Sequence, residues 1–201
     1  MIEIAHERLV GHVRSAMSHV FQTMLGVEAK AQDARVEDSE PPSFDGVMAL
    51  VGIAGAWTGT GRLLLTPSLA CTLAGNLLMS TFERVDEEVL DAIAEIGNMV
   101  VGNFKNMLEE ELGPLCLSVP TVIFGKNYKT RSAGMQDWLV APFRCQGETI
   151  EFRFCLSSNP AHNGRGGSVS GTRLDAAASC ALTPAPENPR AGYRLEFNHV
   201  I

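Results

Sequence analysis

The sequence predicts an α+β domain, and three observations carry that expectation. Apolar residues recur at helical spacing in three separate stretches, near residues 5–25, 67–79 and 86–112. Short apolar runs flanked by turn residues, at 46–66 and 138–156, read instead as β-hairpins. At Ser157 the composition changes to Ser, Gly, Pro, Asn and Ala without an apolar period, so the folded domain is expected to occupy residues 1–156. The remainder, 157–201, lacks the apolar surface needed to offset its chain entropy and is expected to be a low-complexity, disordered tail.

The elements follow in order. Leu9, Val13, Met17, Val20 and Met24 share one helical face, and Gly26 is a stop signal. His12 and His19 lie in this helix without nearby Cys or paired carboxylates, which suits helix packing or solvent better than metal ligation. "VEAKAQ" (27–32) alternates like a strand, and "EDSEPPS" (37–43) is a turn-rich connector. "GVMALVGIAGAWTGTGRLLLT" (46–66) is a hairpin turning near Gly55; its glycines lack the G-K-[ST] of a phosphate loop. Thr66-Pro67 supplies an N-cap and a first-turn proline for the second helix. Asp86 caps the long helix, Glu87 and Glu88 favour its positive end, and Gly113-Pro114 ends it. "LCLSVPTVIFG" (115–125), "WLVAPFRC" (138–145) and "TIEFRFCL" (149–156) read as strands, with "CQGE" as the last turn. In the final strand Ile150, Phe152, Phe154 and Leu156 point inward, Glu151 and Arg153 outward.

Bulk composition narrows the function classes. Apolar content of 45% with 19% charged is that of an ordinary globular chain. No apolar run reaches the roughly 18 residues of a membrane span, and "MIEIAHERLV" lacks the order of a signal peptide, so no membrane insertion is expected. A net charge of −7 argues against a nucleic-acid backbone as partner. Five scattered cysteines (71, 116, 145, 155, 180) without a C-x-x-C pair point to reduced thiols in the cytoplasm, not to a metal site or a disulfide framework; three lie in core-like surroundings.

The long helix carries the pattern that bears on function. Val89, Ile93, Ile96, Val100 and Met107 fall in one sector, the expected buried face. Asp91, Glu95, Asn98, Gly102 and Lys105 line the opposite side. Glu95 and Asn98, at i and i+3, stand about 5–6 Å apart at Cβ. Asn and Gly are poor choices for a merely solvated face, since Gly inside a helix costs roughly 1 kcal/mol relative to Ala.

"DAIAEIGNMVVGNFKNML", followed by Pro120 in "SVPTVIFGK", resembles the signature of the CheC/CheX/FliY phosphatases of bacterial chemotaxis. The matching positions are Asp91, Glu95, Asn98 and Pro120. "FQTMLGVEAK", "ALVGIAGAWTGTGRLLL", "DEEVLDAIAEIGNM" and "PTVIFGK" also occur in the order of CheX-like domains, so the likeness spans about residues 5–156. The first two helices lack a Glu-x-x-Asn, which brings the chain nearer to CheX than to the two-motif CheC type. The resemblance implies an antiparallel-rich sheet packed with two to three long helices, and a homodimer through sheet edges. It implies dephosphorylation of a CheY-like response-regulator receiver, with Asn98 positioning the attacking water and Glu95 docking against the receiver's active-site lysine. Asp91, Gly102, Lys105 and Pro120 would support that contact, Gly102 by leaving room for the receiver and Pro120 by shaping the start of a strand. No cofactor is expected on this chain, Mg2+ being supplied by the receiver. The alternative is a non-catalytic receiver- or flagellar-switch-binding module of the same fold.

Overall fold

A computed structural model of the chain describes residues 6–38, 43–131 and 137–159. The elements are α1 (His6–Thr23), β1 (Lys30–Ala31), β2 (Arg35–Glu37), β3 (Phe44–Gly55), β4 (Trp57–Leu65), α2 (Pro67–Leu78), α3 (Glu87–Leu112), β5 (Leu115–Leu117), β6 (Thr121–Tyr128), β7 (Trp138–Cys145) and β8 (Glu148–Ser158). Every strand pair is antiparallel, in the order β1-β7-β8-β4-β3-β5, with β2 also on β7 and β6 also on β3. The expected α+β class and antiparallel sheet are what forms.

One face of the sheet carries the core. Val47, Ala49, Val51, Leu63, Leu65, Phe152 and Phe154 alternate along their strands and pack with the buried sides of α1, α2 and α3. Phe104 of α3 meets Phe152 and Phe154 edge-on, with ring centroids 5.6 and 4.6 Å away. Helix starts follow their sequence signals. The Thr66 side chain accepts from Leu69 N at 3.2 Å, and that of Asp86 from Val89 N at 3.1 Å. The β7–β8 turn takes positive φ at Gln146 (49°) and Gly147 (84°), the backbone that matches strand twist in a tight hairpin.

Several expectations need correction. The strand expected at 27–32 shrinks to Lys30–Ala31, and β2 follows it at Arg35–Glu37. Both pair with β7, and the gap between them faces Pro142, which has no N–H to offer a neighbour but accepts from Gln32 N at 2.9 Å. The run 115–125 splits into β5 and β6. Met24 falls beyond α1 and is 51% exposed, and Met107 is only half-buried. Arg153, read as outward, lies on the second sheet face yet is 3% exposed. There it pairs with Glu37 at 2.8 Å and with Glu151, while its cross-strand neighbour Arg62 stacks over Trp138 at 4.2 Å. Burial pushes the Glu37 carboxyl up, but Arg35 and Arg153 outweigh it and hold it below the usual range. Trp138, Val140 and Cys155 form a small apolar cluster there.

Cys71, Cys145 and Cys155 are buried, as expected for three of the five; burial pushes the Cys71 and Cys145 thiols up. β8 continues to Ser158, and Asn159 donates from its backbone N to Ala56 O (2.8 Å) and from Nδ2 to Gly55 O (3.0 Å). From residue 160 onward the expected tail lies outside the described residues. Among the described residues no helix is long and apolar enough to cross a membrane.

Candidate functional site

α3 is fixed on the sheet by contacts that set which of its sides faces outward. At Gly97 a Cβ would stand 2.6 Å from Ala49 Cβ, so the helix lies directly on β3 there. One turn later, on the same face, Val101 packs over Gly61 of β4, where a Cβ would stand 2.7 Å from Val101 Cγ2. Gly102 turns toward β5, its Cβ position 3.7 Å from Leu117 Cδ1. The helix end is tied down as well. Lys105 Nζ donates to Glu109 Oε2 (2.8 Å) and to Leu115 O (3.2 Å), and Leu115 N donates to Glu109 Oε1 (2.7 Å). Lys105 and, next, the Leu115 amide hold the Glu109 carboxyl below the usual carboxylate range.

These anchors place the polar line of α3. Residues 91, 95, 98, 102 and 105 share one side of the helix. Since Gly102 and Lys105 face β5, that side looks toward the sheet edge formed by β5 and β6. Asp91 and Glu95 are exposed and Asn98 is half-buried. Among the described residues no side-chain hydrogen bond or ion pair engages any of the three. Lys105 is different. With its side chain 16% exposed, it is committed to Glu109 and Leu115 and acts as a clamp of the fold.

Pro120 belongs to the same edge. Together β5 and β6 run antiparallel along β3, broken at residues 118–120. Across the break Ser118 N donates to Gly52 O (2.9 Å) and Gly52 N donates to Ser118 Oγ (2.8 Å). Pro120, unable to donate to a ladder, closes the break immediately before β6 begins at Thr121. The contacts at Gly97–Ala49 and Gly102–Leu117 bracket Asn98, and Ala49 and Leu50 pair with Val122 and Thr121. Asn98 therefore stands beside the start of β6, with Pro120 adjoining.

The structure thus brings Asp91, Glu95, Asn98, Gly102 and Pro120 to one edge. Three contributors were not singled out in the sequence. Gly97 sits inside the motif, but its contact with Ala49 is purely tertiary. Ser118 leaves no local sequence signal. Glu109 could have been found as the i+4 partner of Lys105. Among the described residues no group of three or more His, Cys, Asp or Glu could hold a metal ion.

Residues 47–144 match the family model described as chemotaxis phosphatase CheX. Over those residues the chain is thus similar to the CheX family. Over 130 residues it is 25% identical to the CheY-P phosphatase CheX of Thermotoga maritima, covering 64% of this chain and 83% of that protein. The crystal structure of the chemotaxis protein CheX from Vibrio vulnificus superposes with a TM-score of 0.66 at 26% identity, covering 75% of this chain and 99% of that one. The same fold occurs in the CheX-CheY-BeF3-Mg+2 complex from Borrelia burgdorferi, with a TM-score of 0.65, 24% identity, and coverage of 78% of this chain and 99% of that one. The CheC/CheX-like fold expected from the motif is therefore the fold of the domain.

Proposed function

We propose that this protein is a CheX-type phosphatase that hydrolyses the aspartyl phosphate of a CheY-like response-regulator receiver, in chemotaxis or related two-component signalling. The observation that carries the reading is Glu95 and Asn98 side by side on the outward face of a firmly seated helix, neither engaged by a side-chain hydrogen bond or ion pair among the described residues. No bond within the described fold depends on this pair, so both side chains are available to a partner. The names of the Thermotoga and Borrelia relatives support that partner being a phosphorylated CheY. The protein acts in the cytoplasm, as a homodimer through sheet edges.

The chemistry asked of the chain is small. In the reaction a water oxygen attacks phosphorus in line with the bond to the aspartyl oxygen. That bond breaks, leaving a carboxylate, inorganic phosphate and a proton released to solvent. The receiver supplies the acyl phosphate and its Mg2+; this chain contributes no cofactor. What remains is positioning, the main protein contribution to phosphoryl transfer. The Asn98 carboxamide accepts from the water through Oδ1 and can donate through Nδ2, without bringing a negative charge to the phosphoryl group. Glu95, one turn earlier, pairs with the receiver's active-site lysine and orients the docked helix. Asp91 adds negative charge to the same side, Gly102 leaves the helix surface low, and Pro120 and the clamped Lys105 hold the adjoining edge.

The test is a receiver charged with acetyl phosphate and followed for phosphate loss. The protein should accelerate that loss. Asn98→Ala should lower the rate by more than about tenfold, a barrier change above about 1.4 kcal/mol, with an unchanged melting temperature. A receiver that binds yet keeps its phosphate at the intrinsic rate would overturn the reading in favour of a binding-only module.

A further inference from the structure

Beside the polar line of α3 lies an apolar feature that neither the core nor the proposed chemistry uses. Phe124 on β6 is 48% exposed. Its cross-strand neighbour Val47 is fully buried under the helices, so Phe124 projects from the helix side of the sheet. Among the described residues β6 pairs with β3 alone, which makes Phe124 an edge residue with open space beyond it. Val122, two residues earlier, packs against the core, and α3 packs on β6. Because Asn98 stands beside Thr121 and Val122, Glu95 one turn back stands toward Phe124. At the other end of the same edge Val119 is 85% exposed.

We infer that Phe124 is an apolar anchor for the receiver domain and determines how tightly it docks, a proposal that rests on the phosphatase reading above. Any protein that presents a phosphoryl group to Asn98 must lie across this side of α3, and the neighbouring strand falls under it. Stable recognition buries about 800 Å² on each partner, far more than one carboxylate and one carboxamide offer. Among the described residues the exposed aromatic side chain on that edge is Phe124. Aromatic residues at the centre of a footprint carry a disproportionate share of affinity, while a charge pair in water adds little. Glu95 then sets orientation, Asn98 sets chemistry, and Phe124 supplies much of the hold.

The proposal is tested with Phe124→Ala and Phe124→Leu in the full chain. Phosphate release from the charged receiver gives kcat and KM, and beryllofluoride-loaded receiver gives Kd. Phe124→Ala should raise KM and Kd about tenfold with kcat near the wild-type value, and Phe124→Leu should recover most of the affinity. Light scattering should show the same oligomeric state for all variants, and circular dichroism the same fold. Unchanged Kd, a fall in kcat alone, or a change of oligomeric state in parallel with Kd would overturn the assignment; the last would mark Phe124 as a contact between copies of this chain. The two readings separate cleanly. If the wild type binds the receiver without releasing phosphate, the phosphatase reading fails, and the Kd series still decides the role of Phe124.

Discussion

Gly97→Ala should uncouple helix propensity from helix placement. An added Cβ would stand 2.6 Å from Ala49 Cβ, where ordinary contact begins at 3.4 Å. The obstacle is a methyl carried directly on the β3 backbone, so no flexible side-chain end can swing away. α3 therefore has to lift by about 0.8 Å at that point. Overpacking of this kind costs about 1–3 kcal/mol. Replacing Gly by Ala within a helix returns roughly 1 kcal/mol. The net expectation is a loss of about 0–2 kcal/mol, small beside the effect on activity. Asn98 is the next residue, and a displacement near 1 Å relative to the β6 edge can cost on the order of 100-fold in rate. Denaturant melts and phosphate release from a charged receiver, measured on one preparation, check both numbers. A variant more stable than wild type and equally active would show that the close approach of α3 to β3 does not position the site.

Other expectations follow from the same geometry. Gly102→Ala should behave oppositely in the fold: its Cβ would sit 3.7 Å from Leu117 Cδ1, an ordinary contact, so stability should rise by up to about 1 kcal/mol. Its KM for the phosphorylated receiver should rise nonetheless, because the surface there is no longer low. Glu95→Ala should leave the melting temperature unchanged, as the side chain has no partner among the described residues. It should weaken receiver binding and flatten the salt dependence of Kd, checked by titration at two ionic strengths. Glu109→Gln probes pH. The folded state holds this carboxyl below its usual range, so its stabilisation is present above the unfolded pKa and is lost as pH falls through the lower folded value. The variant should lose less stability than wild type on acidification below the usual carboxylate range, by a small margin because Glu109 is 29% exposed.

What could be read from the sequence was whatever local chemistry controls. Thr66-Pro67 and Asp86 announce helix starts because their side chains cap amides three residues on, and both helices begin there. The two hairpins were legible because Gly55, Gln146 and Gly147 adopt backbone that turns require. The polar line of α3 was legible for the same reason, since helical periodicity alone aligns Asp91, Glu95, Asn98, Gly102 and Lys105. Tertiary partners were not. Lys105 sits in that line but is bound to Glu109 and Leu115, a fact set by where β5 passes. Arg153 alternates as an outward residue, and only the arrival of β2 beside β7 gives it Glu37 and buries it. Pro120 foretells a strand start in 115–125, but the break before it also depends on Ser118 meeting Gly52, a tertiary contact with no local signal.

Three glycine contacts account for both the seat of α3 and the side it turns outward. Gly97 brings the helix down on β3; Gly61 receives Val101 on the β4 side; Gly102 leaves a shallow approach on the β5 side. A larger residue at either of the first two positions would tilt the helix, and the polar line would no longer face the β5–β6 edge. The helix-weakening glycines near Glu95 and Asn98 therefore have a structural reason that surface solubility does not provide. Their cost of roughly 1 kcal/mol each is small against the apolar area that close helix–sheet packing buries, at about 25 cal/mol per Å². The site inherits its rigidity from that packing: among the described residues Glu95 and Asn98 have no side-chain bonds, and the seat of the helix alone holds their positions.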